Sequence, residues 1–363
     1  LERTFALPPL PEQHRIVAKI EELFSELDAG TTSLTRARAQ LKTYRQALLK
    51  AAFEGKLTAP WRAANPDKLE SPETLLARIR KERDARYAAA LDDWQTALSE
   101  WRAGGEVGDR PRKPSGPRDQ KEYESLETIQ AMLPDGWACA RLGGILDVVS
   151  GGTPQGIETA TGKDLPFYKV SDMNADGNER WMTRSKITLS KGERESLGLT
   201  SYPRGTIIFP KRGGAILTNK KRQLALESCF DLNTMGVLSG IASLSDEYLW
   251  YWFLALDLSK IYDGSNVPQI NNKNVEPLAF PVCSRLEQDE VTRVLATKLS
   301  QVDAMDSEIT TALTRITALR QSILKKAFSG QLVAQDPADE PASALLARLA
   351  QAPAPKPRRK TAK

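Results

Sequence analysis

The sequence predicts an α+β protein, in which a mixed α/β globular domain of short strands is combined with two long helices that form an antiparallel coiled-coil spacer. Two observations predict this class. One segment with a helical spacing of apolar residues occurs twice in the 363 residues, once towards each end. Between the copies the sequence changes to short apolar runs broken by Gly, Pro and Asn, which is typical of short strands and long loops.

The two long helices are predicted from an internal repeat. A shift of 275 positions aligns Glu12 with Glu287 and runs without a gap to Leu57 and Leu332, with 15 of 46 positions identical. Self-similarity of this length indicates duplication of a structural unit. At the α-helical rise per residue, each helix is about 65–70 Å long.

Within each copy the apolar residues alternate between spacings of four and three, with Gly30 and Lys298 as the exceptions. This alternation is typical of a coiled coil. If the two copies pack around a twofold axis, the helices are antiparallel; the alternative is two amphipathic helices lying on separate cores. The predicted interface residues are Ile16, Ile20, Leu23, Leu27, Leu34, Leu41, Tyr44, Leu48, Val291, Leu295, Val302, Met305, Ile309, Ile316, Leu319 and Ile323.

Helix caps and changes of composition set the remaining boundaries. The predicted divisions are 1–10 as the end of a preceding domain, 11–57 as the first long helix, 58–132 as a helical extension with a basic Gly/Pro linker, 133–282 as the globular domain, 283–332 as the second long helix, and 333–363 as a short helix with a basic disordered tail.

Cationic residues are concentrated in one part of the globular domain. The net charge is only +5, but residues 180–222 hold eleven basic and two acidic side chains. Such a stretch fits contacts to phosphates, and nearby Asn, Gln and Ser side chains fit base edges. The alternative is a solvated lysine-rich loop with no special role. The candidate DNA-binding residues are Thr153, Lys169, Ser171, Asn174, Lys211, Arg212, Asn219, Lys220, Lys221, Arg222, Gln269, Asn271, Asn272 and Lys273.

The sequence contains no recognisable catalytic constellation, and we predict neither a cofactor nor a metal site. His14 is the single histidine, and the three cysteines, Cys139, Cys229 and Cys283, are scattered. These counts disfavour an imidazole base, a zinc site and a disulfide framework. No P-loop or dinucleotide-binding glycine motif occurs. Cysteine usage and the lack of a long apolar run predict a cytoplasmic protein without a membrane span.

Five segments resemble, in order, the specificity subunit of type I restriction–modification enzymes. LPPLPEQHRIVAKI (residues 7–20) is similar to the family's transition into a spacer helix. LPDGWACARLGGILDVVSGGTPQ (133–155) looks like the opening of a target-recognition domain. LPFYKVSDMN (165–174) and YPRGTIIFPKRGG (202–214) are similar to its internal strands, and GSNVPQINNKNVEPLAFPV (264–282) to its closing segment.

The resemblance implies a non-catalytic subunit that binds double-stranded DNA. Each of two target-recognition domains would read one half of a bipartite target, and the paired helices would fix the gap between the halves. Methyltransferase subunits, which bring S-adenosylmethionine, would dock on the helices, and motor–nuclease subunits would join for restriction.

Residues 1–10 would then end a first recognition domain that the printed sequence lacks. The chain would be a fragment, a truncated product or a half-subunit that works in pairs, and we favour the first two. Two other hypotheses stay open from the residues alone. One is an enzyme subunit, a nuclease or methyltransferase, with an unrecognised site; the other is a coiled-coil adaptor that binds no DNA.

Overall fold

The computed structural model of the protein describes residues 7–107, 110–111, 113–114, 116 and 126–351. The first six residues of the predicted terminal segment, the predicted tail at 352–363 and part of the predicted linker lie outside the described residues. The chain divides into two compact units: a helical unit of Leu1–Arg45 with Leu299–Lys363, and a globular unit of Gln46–Lys298.

The described residues form ten α-helices and ten strands. The helices are α1 (Leu10–Phe53), α2 (Ala59–Ala64), α3 (Pro72–Ala103), α4 (Glu127–Gln130), α5 (Leu142–Ile145), α6 (Lys191–Ser196), α7 (Asp246–Ala255), α8 (Asn272–Val275), α9 (Arg285–Phe328) and α10 (Ala342–Gln351). The strands are β1 (Ala138–Arg141), β2 (Asp147–Ser150), β3 (Leu165–Tyr168), β4 (Trp181–Met182), β5 (Ile187–Leu189), β6 (Ile207–Pro210), β7 (Arg222–Leu224), β8 (Cys229–Phe230), β9 (Thr234–Leu238) and β10 (Ala279–Val282). Within the described ranges, no helix combines the length and the apolar content that a membrane span requires.

In the helical unit, α1 and α9 pair as an antiparallel coiled coil. Ion pairs join Asp28 to Arg320 and Arg45 to Asp303, so residue numbers rise along one helix as they fall along the other. The two pairs are copies of each other, because the shift of 275 positions carries Asp28 to Asp303 and Arg45 to Arg320. The antiparallel pairing that the repeat predicts is therefore confirmed.

Gly30, an exception to the apolar spacing, also lies at the helix interface. A Cβ built on Gly30 would lie 3.7 Å from Cδ1 of Ile316, at ordinary van der Waals distance, so this position faces the partner helix. Most of the predicted interface side chains are half-buried or buried. Tyr44, Met305 and Leu319 are exposed. Of these, Tyr44 and Met305 line a largely apolar groove of about 550 Å³ along the coil.

The globular unit contains three small sheets. β1 pairs with β10, a five-stranded sheet has the order β2-β9-β6-β7-β4, and a three-stranded sheet has the order β5-β3-β8. Ala138 lies opposite Val282, so the first and last strands close on each other. Phe167 and Tyr168, neighbours on β3, belong to two separate apolar clusters, because successive side chains of a strand point to opposite faces.

The aromatic helix α7 lies in the core of the globular unit. The side chains from Tyr248 to Phe253 are all buried. The Phe53 ring, at the end of α1, packs edge-on against Tyr248 with 5.1 Å between ring centroids. The Tyr248 hydroxyl donates to the carbonyl of Pro281 in β10 at 2.9 Å. One helix thus connects the end of α1 to the strand that closes the domain.

Helix α3 packs on the globular unit through a mixed apolar and polar face. Leu75 is fully buried, and Arg83 donates to the carbonyl of Gly143 at 3.1 Å. The N–H and hydroxyl of Ser243 donate to the Glu82 carboxylate at 2.9 and 2.5 Å. The helical segment after the first repeat therefore belongs to this unit.

Two buried polar side chains hold the first turn of α9 in the globular unit. Thr58 Oγ1 and Arg62 Nη1 donate to Glu287 Oε1 at 2.6 and 2.5 Å. Gln288 Oε1 accepts from the N–H of Ser245 at 2.8 Å. Since a buried carboxylate is costly without a cationic partner, the Arg62 guanidinium is what makes this burial tolerable.

We expect replacement of Phe53 by alanine to lower the free energy of unfolding of the globular unit by about 3–5 kcal/mol, because a buried aromatic ring leaves a cavity. The matched control is Phe328→Ala, the same residue in the second copy, which is 77% exposed where Phe53 is 8% exposed. The control should change stability by about 0.5 kcal/mol or less. Urea unfolding followed by tryptophan fluorescence reports on this unit alone, because every tryptophan lies between residues 61 and 252. Equal losses for the two variants would contradict the assignment.

Candidate nucleic-acid interface

Loops at the ends of three strands bring the first group of candidate residues together. Thr153 follows β2, Lys169 follows β3 and Lys211 follows β6. Lys211 Nζ donates to Ser150 Oγ at 3.1 Å, and Thr153 Oγ1 accepts from the N–H of Leu232 at 3.1 Å. Because β2 and β6 both run antiparallel to β9, their carboxyl ends lie at one edge of the five-stranded sheet.

Glycine is required where the loop after β2 comes closest to the turn between β8 and β9. A Cβ on Gly151 would lie 2.1 Å from the carbonyl oxygen of Phe230, a distance at which no side chain fits. The N–H of Gly152 donates to the same carbonyl at 3.0 Å. The Gly-Gly pair therefore lets the loop after β2 lie directly against the turn between β8 and β9.

A second group of candidates gathers around the 3₁₀-helix Val170–Asn174, which follows Lys169. Lys220 Nζ donates to Asn174 Oδ1. Arg222 Nη2 donates to the carbonyl of Met173 at 2.8 Å. The segment from β6 to β7 is thus tied to the segment after β3, which begins at Lys169 of the first group.

The segment before α8 joins these segments from the other end of the domain sequence. The N–H of Ile270 donates to the Lys211 carbonyl at 2.9 Å, and Arg212 forms a single β-bridge with Gln269. Residues separated by more than fifty positions thus lie side by side. The structure brings together members of all the segments from which the candidates were drawn.

Lys221 and Asn219 hold the loop between β6 and β7 instead of facing solvent. Lys221 is 3% exposed, and its Nζ donates to Asn219 Oδ1 at 2.7 Å and to the carbonyl of Leu256. Burial lowers the pKa of Lys221 to about 8, although the nearby Asp257 raises it. A side chain in this position supports the loop and has little access to a phosphate.

Other candidates are also engaged within the domain. At the start of α8 the N–H of Asn271 donates to Asn274 Oδ1 at 2.9 Å, and Asn272 Nδ2 donates to the carbonyl of Val148 at 3.3 Å. Lys169 forms an ion pair with Glu158. The candidates that are exposed are Thr153, Ser171, Asn174, Arg212 and Lys273.

Part of the basic stretch is used in packing against α7. The Arg180 guanidinium lies 5.2 Å from the Trp181 ring and 5.3 Å from the Trp250 ring, and it pairs with Glu247. Arg204 lies 5.2 Å from the same Trp181 ring. Charge density along the sequence therefore overstates the cationic surface of the folded domain.

Asp231, in the turn between β8 and β9, is a polar residue of this edge that sequence reasoning missed. It is buried, its Oδ1 accepts from Thr234 Oγ1 at 2.5 Å, and its N–H donates to the Tyr168 carbonyl at 2.9 Å. Burial raises its pKa. A lone aspartate in a short turn carries no sequence signal of such a role. In the described ranges, no three His, Cys, Asp or Glu side chains group as metal ligands would.

Residues 134–318 match the family described as type I restriction modification DNA specificity domain. The chain belongs to this family. The specificity subunit of the EcoDI type I restriction enzyme of Escherichia coli is 23% identical over 340 residues, which are 93% of this chain and 64% of that protein. The EcoKI specificity subunit of E. coli strain K12 is 42% identical over 82 residues, 22% of this chain and 18% of that protein.

The fold agrees with this membership. A solved chain from work on complex assembly and conformational transition of the type I R-M system matches with a TM-score of 0.58 and 19% identity, covering 90% of this chain and 61% of that one. The predicted fold class is thereby confirmed. The chain spans less than two thirds of the length of these two long matches, at 64% and 61%.

We expect the burial of Lys221 to make stability depend on pH. Its pKa is about 8 in the folded chain against 10.5 ordinarily, so between these values the unfolded chain holds a proton that the folded chain has released. Folding is therefore favoured increasingly as the pH rises from 8 towards 10. Relative to Lys221→Met, the natural chain should gain on the order of 2 kcal/mol between pH 7 and pH 10.

Denaturation of both proteins at each pH measures this difference, and groups common to both cancel. Lys220→Met, next in sequence and less buried, is the control and should not reproduce the effect. A difference between the natural chain and Lys221→Met that stays constant from pH 7 to 10 would refute the assignment.

Proposed function

We propose that the chain is a sequence-specific DNA-binding specificity subunit of a type I restriction–modification complex. In this proposal it is not itself an enzyme, it needs no cofactor of its own, and residues 133–282 are its target-recognition domain. The observation that carries the proposal is the convergence of loops from three strand ends on one polar, glycine-lined edge of a specificity-family domain.

The chemistry of this edge fits double-stranded DNA. Exposed cations such as Arg212 and Lys273 suit phosphate contacts, which position a protein on the duplex. Amide side chains such as Asn174 and Gln269 suit the paired donors and acceptors of base edges. Hydrogen bonds between loops, such as that between Ile270 and Lys211, hold the backbone in advance, so little order would have to be imposed on binding.

We further propose that the target is bipartite, because the two repeats end in unequal surroundings. Leu49 and Phe53, at the end of the first copy, are buried in the globular unit, with 2% and 8% of their surface exposed. Leu324 and Phe328, their counterparts in the second copy, are 39% and 77% exposed. A second recognition domain docked at the exposed pair would bury it as the first domain buries Leu49 and Phe53.

The partners we propose are those of the family's complexes. Methyltransferase subunits would dock on the coiled coil, where Tyr44 and Met305 line an apolar groove with Leu41 and Ile309. Motor–nuclease subunits would join for restriction. The catalytic chemistry, with S-adenosylmethionine as methyl donor, would belong to those partners.

Charge-removing substitutions on the proposed edge should weaken DNA binding and its salt dependence. We expect Arg212→Gln with Lys273→Gln to reduce the slope of log K against log salt by about two, because each lost phosphate contact removes about one released counterion. Fluorescence anisotropy with a labelled duplex at several salt concentrations measures the slope.

The matched control removes two lysines from the other end of the three-stranded sheet. Lys163 precedes β3 and Lys191 follows β5; because β3 and β5 are antiparallel, both lie at the end opposite Lys169. Lys163→Gln with Lys191→Gln changes the net charge equally and should leave the slope nearly unchanged. Equal slopes for the two double variants would mean that binding is non-specific attraction to a basic protein.

A further inference from the structure

The loop between β6 and β7 presents an exposed leucine in polar surroundings. Leu217 is 57% exposed, while its neighbour Ile216 is fully buried. A single exposed leucine is ordinary on a protein surface. Leu217 differs because it lies on the candidate DNA-binding edge, between the cations Arg212 and Lys220, where water and phosphates are the expected neighbours.

The loop is held in place at both ends, so Leu217 has little freedom to fold back on its own core. The N–H of Gly213 donates to the Pro268 carbonyl at 2.8 Å. At the other end Asn219, in the left-handed region at φ 55°, accepts through Oδ1 from Lys221 Nζ and from the N–H of Leu258 at 2.7 and 2.9 Å. The exposure of Leu217 is therefore built into the fold.

A second exposed apolar side chain lies on the adjoining loop. Val267 is 61% exposed and directly precedes Pro268, which bonds to Gly213. Its loop is also fixed, because Asp263 Oδ1 accepts from the N–H groups of Ser265 and Gln269, both at 3.2 Å. Two hydrogen-bonded, linked loops thus each present an exposed apolar side chain, in segments that also carry amide and cationic candidates.

We infer that Leu217 contacts the 5-methyl group of a thymine in the major groove. The inference rests on the proposed DNA-binding function and deepens it. The major groove combines donors and acceptors with one apolar group, the thymine methyl, and the edge around Leu217 has the complementary composition. Leu217 is then a specificity-determining residue, and Lys221 and Asn219 are positioning residues that act through the loop.

Selection from a random duplex library tests this inference. The full chain, co-expressed with methyltransferase subunits, enriches its binding sites, and one enriched duplex is then resynthesised with deoxyuridine in place of each thymidine in turn. At one position the missing methyl should weaken binding by the natural chain about fourfold, the effect of one lost methyl contact. Leu217→Ala should bind the original duplex more weakly and should no longer distinguish thymidine from deoxyuridine there.

Leu226→Ala is the matched control, because Leu226 is 44% exposed and follows the opposite end of β7. It should keep the preference for thymidine. If Leu217→Ala keeps that preference at every position, the inference is wrong while DNA binding stands. If the natural chain tolerates deoxyuridine at every position, the methyl contact is wrong. If 2-aminopurine beside the site also becomes fluorescent on binding, Leu217 is an intercalating wedge instead. If no duplex is enriched, the proposed function fails and the inference fails with it.

Discussion

The antiparallel pairing of two copies of one helical sequence is the constraint on which the helical unit depends. Asp28–Arg320 and Arg45–Asp303 are symmetry-related ion pairs between the helices, both largely exposed. Exposed pairs of this kind contribute at most about 1 kcal/mol each, so they favour one register and direction more than they add stability. The burial of apolar side chains along the seam, where Gly30 faces Ile316, supplies the stability.

Identical residues in the two copies have different physical situations. Glu287 is buried with Thr58 and Arg62 as donors, whereas Glu12, its counterpart, is buried with no hydrogen-bond partner for Oε1 among the described residues. Phe53 is packed and Phe328 is exposed. A buried carboxylate without a hydrogen-bond partner and an exposed aromatic ring each raise the free energy of the protein as long as nothing packs over them. Glu12 of the first copy and Phe328 of the second, both in the helical unit, are therefore features suited to a docked domain, which is why we propose one there.

The polar edge of the globular unit divides its cations between two tasks. Lys221 is buried and fixes the loop between β6 and β7, while Arg212 is exposed on the same loop. Binding residues carried by loops on a rigid scaffold are common, because loops vary without loss of the core. In this domain the scaffold extends into the loops through side-chain bonds to Asn219 and through the close contact of Gly151 with Phe230. We therefore expect the loops of this surface to change conformation little when DNA binds.

The sequence by itself determined the two long helices and favoured their pairing, because heptad spacing and a constant shift are one-dimensional patterns, and the ordered motifs pointed to the family by resemblance. Only the tertiary structure decided which lysines are exposed, that Asp231 is buried, and that Tyr44 and Met305 line an open groove. Burial depends on contacts between segments far apart in the chain, such as β3 with β8 and β2 with β9, and the spacing of residues within one segment does not contain that information.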